Sequence, residues 1–342
     1  MMPRRYLITG GAGFIGSNYA ARLIGQGHEV IIYDNLSRVG AVRNLEWLRI
    51  TFGENAYRLI VADVRDAQQL NKAVQGVDVI VHLAAQVAVT TSVTDPRSDF
   101  EINALGTFNV LEAARLSGKD PIVIYASTNK VYGGMENVAV VEGETRWHYQ
   151  DLPEGCPETQ PLDFHSPYGC SKGCGDQYVR DYARIYGLPT VVMRQSCIYG
   201  PRQFGVEDQG WVAWFVIAAL LKRRLTIYGD GKQVRDLLFI DDLLDAYDAA
   251  IECIDSVAGQ IFNIGGGPQN SISIWREFGP LLERLVGFPI PVDYGDWRPG
   301  DQRVYISDIR KARQWLDWQP KVSVEEGVER LVNWVRSNLN LF

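Results

Sequence analysis

The chain has 342 residues, of which 46% are hydrophobic and 22% are charged. These proportions are ordinary for a soluble globular protein and exclude a disordered or fibrous chain. The 41 acidic side chains outnumber the 34 basic ones, and the net charge of −7 argues against a general nucleic-acid partner.

The cysteines, histidines and apolar runs constrain the compartment and the metal chemistry. Five cysteines include no C-x-x-C pair and four histidines have no metal-ligand spacing, so we expect free thiols and no catalytic metal. The longest apolar run, at 211–221, is too short to span a bilayer, and the segment after Arg5 is a poor signal-peptide core. The sequence predicts a cytoplasmic protein without a membrane partner.

The first half alternates short apolar runs with amphipathic stretches, which is typical of an α/β fold with a parallel sheet between helices. The predicted strands are 6–9, 29–34, 57–61, 77–83, 122–127 and 190–194. The predicted helices are 14–26, 66–74, 96–116 and 166–186. This order predicts a Rossmann-type, doubly wound parallel sheet. The last two helices are long enough to pack against another subunit, so we expect a homodimer or homotetramer.

The second half predicts a smaller α/β domain. Periodicity fails over 133–166, which contains several prolines and is predicted to be a functional loop. Later elements are predicted at 211–222, 235–239, 240–254 and 273–285, before a terminal helix opened by the capping box Ser323-x-x-Glu326. We expect one domain over 1–195, to which later segments return, and a second, lid-like domain mainly over 196–342.

A glycine-rich turn follows the first predicted strand directly and opens the first predicted helix. The run from Thr9 to Gly16 contains G-x-G-x-x-G at Gly11, Gly13 and Gly16, and G-x-x-G-x-x-G from Gly10. Absent β-carbons let backbone N–H groups approach a pyrophosphate, and the helix start adds partial positive charge. This context predicts a dinucleotide site rather than an ordinary flexible turn.

Acidic residues after the next strands refine the choice of cofactor. Asp34 ends the second strand, where a carboxylate binds ribose hydroxyls and repels a 2′-phosphate. It favours NAD, although Arg38 is close enough in sequence to keep NADP as an alternative. Asp63 and Val64 are candidates for the adenine edge, whereas helix N-capping by Asp63 or Asp66 is the competing interpretation.

A tyrosine and a lysine on the predicted 166–186 helix carry the candidate chemistry. Tyr168 and Lys172 are four residues apart and share a helical face. Lysine charge is expected to lower the phenol pKa, which makes Tyr168 a candidate general base. Thr128, at the carboxyl end of the fifth strand, places a hydroxyl where ligands bind open parallel sheets.

Further motifs extend this pattern over nearly the whole chain. They are His82-Leu83-Ala84-Ala85, Asn103-x-x-Gly106-Thr107, Val131-Tyr132-Gly133, Tyr199-Gly200-Pro201-Arg202 and Gly229-Asp230-Gly231 followed by Arg235-Asp236. With the glycine-rich turn and the Tyr168/Lys172 pair, they resemble an extended short-chain dehydrogenase/reductase of the nucleotide-sugar epimerase branch. His82, inside an apolar strand, is predicted to be structural.

This resemblance implies NAD held throughout turnover and a nucleotide-sugar substrate. It places Thr128, Tyr168 and Lys172 at the catalytic positions, with Lys172 also holding the nicotinamide ribose. The cofactor residues assigned on this basis are Gly10, Gly13, Phe14, Ile15, Gly16, Asp34, Asn35, Ser37, Arg38, Asp63, Val64, Leu83, Ala84, Ala85, Tyr168, Lys172 and Gln195. The substrate residues assigned are Gln86, Thr128, Asn129, Arg202, Gln203, Arg235 and Arg298.

Within the branch, the segments 127–133, 200–204 and 208–211 resemble 2-epimerases of CDP-sugars. The 4,6-dehydratases of the branch have an Asp-Glu pair after the catalytic threonine, where this chain has Asn129-Lys130. Many C4 epimerases have an asparagine at the position of Cys197. The resemblance to 2-epimerases, and it alone, implies inversion at C2 of a CDP-sugar as the expected reaction. A C4 epimerase of a UDP-hexose, a net sugar-nucleotide reductase and a non-catalytic NAD-binding regulator are the alternatives.

The three arginines are candidates for the nucleotide diphosphate. Arg202, Arg235 and Arg298 each lie near glycine or proline in the second half, and a guanidinium fork matches phosphate oxygens. The competing interpretation for each one is a solvated surface charge. The resemblance supports Arg235 and Arg298 most.

Overall fold

The structure is a computed structural model that describes residues 2–298 and 301–342. The strands in these ranges are β1 (Arg5–Thr9), β2 (Glu29–Asp34), β3 (Arg58–Val61), β4 (Val79–His82), β5 (Ile122–Thr128), β6 (Val140–Glu142), β7 (Trp147–Tyr149), β8 (Thr190–Gln195), β9 (Ile198–Tyr199), β10 (Leu225–Tyr228), β11 (Val234–Asp236), β12 (Leu238–Phe239), β13 (Gln260–Ile264), β14 (Ser271–Ser273), β15 (Val292–Gly295) and β16 (Val304–Tyr305).

Helices alternate with the strands in the first half and continue to the end of the described chain. They are α1 (Phe14–Gly25), α2 (Ala41–Phe52), α3 (Ala67–Ala73), α4 (Val89–Thr94), α5 (Pro96–Phe100), α6 (Gly106–Leu116), α7 (Ser166–Tyr186), α8 (Trp211–Leu220), α9 (Ile240–Glu252), α10 (Ile254–Val257), α11 (Phe278–Val286), α12 (Arg310–Leu316) and α13 (Val324–Ser337). A π-helical segment, Glu101–Leu105, joins α5 to α6. None of the described helices is long and apolar enough to cross a membrane.

The central sheet over the described residues has seven strands in the order β13-β8-β5-β4-β1-β2-β3. β1 pairs in parallel with β2 on one side and with β4 on the other, with Leu7 opposite Ile31 and Ile80. Chain order therefore reverses between β1 and β4. Loops that leave the carboxyl ends of these two strands diverge, and this switch point is where open α/β sheets bind ligands.

The chain divides into two compact units. The first contains residues 2–128, 166–194 and 247–262, and the second contains 129–165, 195–246, 263–298 and 301–342. In the first unit, apolar side chains of the sheet, such as Leu7, Ile80 and Val192, form one buried cluster with Val110 of α6 and Val179 of α7. Burial of this continuous apolar surface stabilises the parallel sheet.

The second unit has small sheets. Antiparallel β14 and parallel β16 flank β11, and β10 pairs with β15. One buried cluster contains Val131, Tyr132, Met135, Cys156 and Tyr305. The terminal helix α13 begins as predicted, since Ser323 Oγ accepts a hydrogen bond from the Glu326 backbone N–H at 3.3 Å.

The α/β fold class predicted from the sequence is confirmed, and each of the six predicted strands is present. Some local predictions were wrong. The sheet has a further strand, β13, and the helix α2 was not predicted. The segment 133–166 is not only a loop, because β6 and β7 form an antiparallel hairpin there. The predicted 273–285 element is divided between β14 and α11.

Candidate active site

Close backbone contacts shape the glycine-rich turn between β1 and α1. Gly10 has a φ of +69°, and a Cβ there would lie 2.8 Å from the Ala84 nitrogen. A Cβ on Gly16 would lie 2.4 Å from the Gly10 oxygen. Gly13 is the N-cap of α1, where no side chain caps the helix and the first turn has no acidic residue. The helix start thus presents N–H groups and partial positive charge, which suits a pyrophosphate.

Asp34 ends β2 beside this turn. Its carboxylate accepts hydrogen bonds from the backbone N–H groups of Ala12 at 3.0 Å and Leu36 at 2.8 Å. Burial raises the pKa of Asp34, and these two hydrogen bonds oppose the increase. Because the carboxylate is fixed next to the turn, it is suited to ribose hydroxyls and unsuited to a 2′-phosphate. The glycine-rich turn and Asp34 therefore fit NAD.

The loops after β2 and β3 are joined by Asp63. Asp63 accepts hydrogen bonds from Asn35 Nδ2 at 2.8 Å and from Arg65 Nε at 2.9 Å, and Arg65 holds the pKa of Asp63 at about 2. Asp66, rather than Asp63, caps α3 through two backbone N–H groups at 3.0 Å. Asp63 is thus placed to organise this loop pair, and its adenine contact stays a prediction.

The other predicted cofactor residues lie on loops and helix ends. Phe14 and Ile15 open α1, Ser37 and Arg38 are exposed after β2, Val64 is buried, and Gln195 ends β8. Leu83, Ala84 and Ala85 follow β4. The backbone N–H groups of Leu83 and Ala84 donate to Thr9 Oγ1 at 3.2 and 3.3 Å, which holds this segment against the glycine-rich turn.

His82 has a structural role. Its Nδ1 lies 2.6 Å from Thr9 Oγ1 and its Nε2 lies 3.0 Å from Thr107 Oγ1. Complete burial, with a smaller contribution from the Lys172 charge, lowers the pKa of His82 to about 3. The neutral ring connects β1, β4 and α6, as the sequence predicted. No group of three or more potential metal ligands occurs among residues 2–298 and 301–342.

Thr128 and Tyr168 come together although they are far apart in sequence. Thr128 is the last residue of β5, and Tyr168 lies in the first turn of α7, where its backbone N–H donates to Ser92 Oγ at 3.1 Å. The two side chains are hydrogen-bonded. Burial raises the pKa of Tyr168 to about 12, and the Thr128 hydroxyl opposes this increase. The expected lowering of this pKa was therefore wrong, because burial penalises the charged phenolate.

Lys172 is buried one helical turn after Tyr168. Its Nζ donates to the Ala126 carbonyl at 2.6 Å and lies 4.3 Å from the ring centroid of Tyr125. Burial lowers the pKa of Lys172 to about 7, while Asp176 and Asp99 oppose the decrease. Lys172 can therefore gain or lose a proton near neutral pH, one helical turn from Tyr168.

The carboxylates of Asp176 and Asp99 were not predicted from the sequence to belong to the site. Asp176 is buried one turn after Lys172, so its helical spacing was a usable signal. Asp99 is buried too, and its Oδ2 accepts from Ser171 Oγ at 2.5 Å. No local pattern marks Asp99, because it reaches α7 only through the fold. Asp99 also engages the predicted substrate residue Gln86, whose Nε2 donates to it at 3.2 Å.

Two predicted substrate arginines of the second unit are already paired with carboxylates. Arg235 is buried, and its Nη2 lies 2.5 Å from Asp301 Oδ1. Arg298 Nη2 lies 3.1 Å from Asp208 Oδ1, and its guanidinium is 4.1 Å from the ring centroid of Tyr228. These partners fix the orientation of both guanidinium groups. The arginines are thus neither isolated cations nor simply solvated charges.

The remaining predicted substrate residues of this unit lie near turns. Arg202 has a φ of +70°, and burial lowers its pKa to about 10. Gln203 Nε2 donates to the Ile198 carbonyl at 3.3 Å. Asn129 is buried and opens the short 3₁₀ helix Asn129–Tyr132. Their predicted contacts with substrate stay predictions.

Comparison with known proteins identifies the family of this chain. Residues 7–331 match the family described as GDP-mannose 4,6-dehydratase. The chain belongs to this family. It is 45% identical to a CDP-paratose 2-epimerase of Salmonella typhi, over 97% of this chain and 99% of that protein. The predicted resemblance to nucleotide-sugar epimerases with a short-chain dehydrogenase/reductase fold is confirmed.

Solved structures similar to this chain include epimerases and dehydratases. A UDP-glucose 4-epimerase of Thermotoga maritima, solved with UDP-glucose, has a TM-score of 0.84 and 33% identity, and the match covers 98% of this chain and 99% of the other. A dTDP-glucose 4,6-dehydratase of Streptomyces venezuelae, solved with NAD, has a TM-score of 0.84 and 31% identity, covering 99% and 98%. Family members thus act on nucleotide sugars, and NAD is their cofactor.

Proposed function

We propose that this protein is an NAD-dependent epimerase that inverts C2 of a CDP-sugar and converts CDP-paratose to CDP-tyvelose. The Thr128 and Tyr168 hydrogen bond beside buried Lys172 carries the proposal of epimerase chemistry. The 45% identity to a CDP-paratose 2-epimerase, along nearly the full length of both chains, supports the substrate.

The catalytic residues would move one proton in both directions. Tyr168 takes the proton of the C2 hydroxyl, Thr128 hydrogen-bonds the substrate oxygen, and Lys172 stabilises the tyrosinate. When bound, NAD supplies a reversible hydride acceptor next to the sugar carbon, so that a transient 2-keto sugar forms and is reduced again. Tyr168 then returns the proton to the oxygen after the sugar has presented its opposite face. The high pKa of Tyr168 favours this return.

The glycine-rich turn and Asp34 would hold the dinucleotide. The N-terminus of α1 binds the pyrophosphate, because its first turn has no carboxylate and Gly13 leaves its N–H groups uncapped by a side chain. Asp34 accepts the hydroxyls of the adenosine ribose, which selects NAD over NADP. Lys172 is proposed to hold the nicotinamide ribose in addition to its role beside Tyr168.

The residues after Thr128 argue against dehydration. Expulsion of water from a sugar needs an acid and a base near the carbons that lose it. The two following residues are Asn129 and Lys130, so neither carries a carboxylate. Burial and the charge of Arg235 lower the pKa of Lys130. An amide and a buried amine there, with no carboxylate, suit a reaction that leaves the sugar hydroxyls in place.

We infer that the protein assembles as a homodimer or homotetramer through α6 and α7 of the first unit. Apolar and aromatic side chains are exposed on these helices, and Phe108 of α6 contacts Tyr178 of α7 with ring centroids 6.0 Å apart. Exposed apolar patches of this kind mark interaction surfaces. Light scattering on the purified protein measures the subunit count, and a monomeric mass would contradict this inference.

Inversion at C4 of a UDP-hexose is the second candidate. The Thermotoga maritima neighbour favours it, since that enzyme is a UDP-glucose 4-epimerase of the same fold. NMR of the products after incubation with CDP-, UDP- and GDP-sugars separates the two reactions. A C2 epimer formed only from the CDP-sugar supports the first proposal, and a C4 epimer from the UDP-sugar replaces it. A stoichiometric change in nicotinamide absorbance would instead indicate a net reductase.

A further inference from the structure

A buried carboxylate lies beside the proposed proton-transfer pair without belonging to it. Asp99, in α5, is fully buried. Its Oδ2 accepts a hydrogen bond from Ser171 Oγ at 2.5 Å, and its Oδ1 accepts from Asn103 Nδ2 at 3.1 Å and Gln86 Nε2 at 3.2 Å. Ser171 immediately precedes Lys172, so this network attaches the carboxylate to the first turns of α7.

Asp99 interacts electrostatically with both members of the pair. Its negative charge raises the pKa of Lys172 and the pKa of Tyr168. Within the described chain, the other titratable groups that interact with Lys172 are Asp176 on α7, Tyr125 on β5 and His82 on β4. Tyr168 lies one helical turn before Lys172 on α7. Asp176 forms an ion pair with Arg194, and His82 is neutral over most of the pH range. Asp99 differs from Asp176, because the side chains that donate to its carboxylate within the described chain are a serine and two amides.

An epimerase has a particular need for such a charge. The proton taken from the hydroxyl must be given back to the same oxygen, and a pair that releases it to solvent cannot complete the cycle without taking up another. A nearby anion in a poorly solvated environment makes both the phenol and the amine more basic. It therefore favours retention of the proton.

We propose that Asp99 is a positioning residue whose negative charge acts on the Tyr168/Lys172 pair and so retains the transferred proton on that pair between the two half-reactions. This inference rests on the proposed role of Tyr168 as the base. The carboxylate is hydrogen-bonded to Ser171, Asn103 and Gln86 rather than to the phenol or the ammonium, so it acts through the pair.

Asp99→Asn removes the charge while the hydrogen-bond network can be kept. The oxygen of the introduced amide can accept from Asn103 and Gln86, and its nitrogen can donate to Ser171 Oγ. That hydroxyl can then donate to the Tyr168 carbonyl oxygen, which already lies 3.2 Å away. Ser171→Ala is the matched control, because it breaks the hydrogen bond to Asp99 and keeps the carboxyl group.

The test is the titration of Lys172 in the NAD-loaded protein, followed by NMR of ¹³C-labelled lysine. The Lys172 resonance is assigned by its absence in Lys172→Met. We expect the midpoint to fall by about one pH unit in Asp99→Asn, which is a tenfold change in the proton affinity. Ser171→Ala should leave the midpoint unchanged and lower the melting temperature.

An unchanged midpoint in Asp99→Asn overturns the proposal, because it shows that the charge has no electrostatic effect on Lys172. An equal shift in Ser171→Ala also overturns it, because it shows that the effect is structural. The pH profile of kcat gives a second measurement, in which the alkaline limb of Asp99→Asn should move to lower pH. If the NMR shift is found while Tyr168→Phe remains active, the charge effect holds and the proposed base fails. The two failures are therefore distinguishable.

Discussion

Arg194 donates two hydrogen bonds to Asp176, from Nε at 2.9 Å and from Nη2 at 2.8 Å. Both side chains are inaccessible to solvent, with 2% and 0% of their surface exposed. Ser127 Oγ also donates to Asp176, at 2.7 Å. The carboxylate thus joins β5 and β8 to α7 one turn after Lys172, and it fixes the helix that carries the proposed base.

This ion pair predicts a large loss of stability when one partner is neutralised. Asp176→Asn leaves the buried guanidinium of Arg194 uncompensated, and we expect the free energy of unfolding to fall by about 3–5 kcal/mol. Urea denaturation measures the change. The double variant Asp176→Asn/Arg194→Met removes both charges and should lose less than the sum of the single variants. Additive losses would show that the two charges are not coupled.

The proposed base predicts a loss of catalysis without a loss of cofactor. Tyr168→Phe removes only the phenolic hydroxyl, so we expect kcat to fall at least about 100-fold while the affinity for NAD is retained. Tyr294→Phe is the matched control, because Tyr294 lies on β15, outside the proposed site, and is 51% exposed. Epimer formation is followed by NMR and NAD binding by calorimetry. Near-normal turnover in Tyr168→Phe would exclude the assigned role.

The glycine-rich turn predicts a selective loss of NAD binding. Gly16→Ala places a Cβ 2.4 Å from the Gly10 oxygen and 2.6 Å from the Gly11 Cα, so the turn must move. We expect the affinity for NAD to fall by at least about tenfold, or ~1.4 kcal/mol. Gly25→Ala, at the other end of α1, has open space for its Cβ and should keep full affinity. Equal affinity in both variants would contradict the proposed pyrophosphate site.

The buried histidine predicts acid sensitivity of the fold. The pKa of His82 is about 3 in the folded protein and about 6.5 in an unfolded chain. As the pH falls, His82 takes up a proton in the unfolded chain before it does so in the folded protein. The contribution of neutral His82 to stability is therefore complete above pH ~6.5. It is lost as the pH falls toward ~3, by up to ~1.4 kcal/mol per pH unit.

His82→Gln removes this titration. We expect the free energy of unfolding to fall by about 1–3 kcal/mol at neutral pH, because hydrogen bonds to Thr9 and Thr107 are lost or weakened. Between pH ~6.5 and ~3, the free energy of unfolding should decrease less steeply in His82→Gln than in the parent protein. Chemical denaturation at a series of pH values measures both effects. Parallel pH curves for the two proteins would show that His82 does not titrate as the structure indicates.

Local patterns in the sequence were sufficient for much of the fold and for the core of the site. The predicted helix at 166–186 has the same bounds in the structure, and the glycine-rich turn lies between a strand and a helix as predicted. Helical spacing alone placed Tyr168 and Lys172 on one face. Sequence could do this because helix and strand periodicity, turn geometry and capping depend on residues a few positions apart.

Only the tertiary structure decided the electrostatics of the site and the long-range partners. Ser171 meets Asp99 72 positions away in sequence, and β13 joins the sheet from a distant segment. Burial, which no local pattern reports, raised the pKa of Tyr168 where the neighbouring lysine alone predicted the opposite. The physical reason is that desolvation and charge interactions depend on distances through space, and these are set when separate elements pack together.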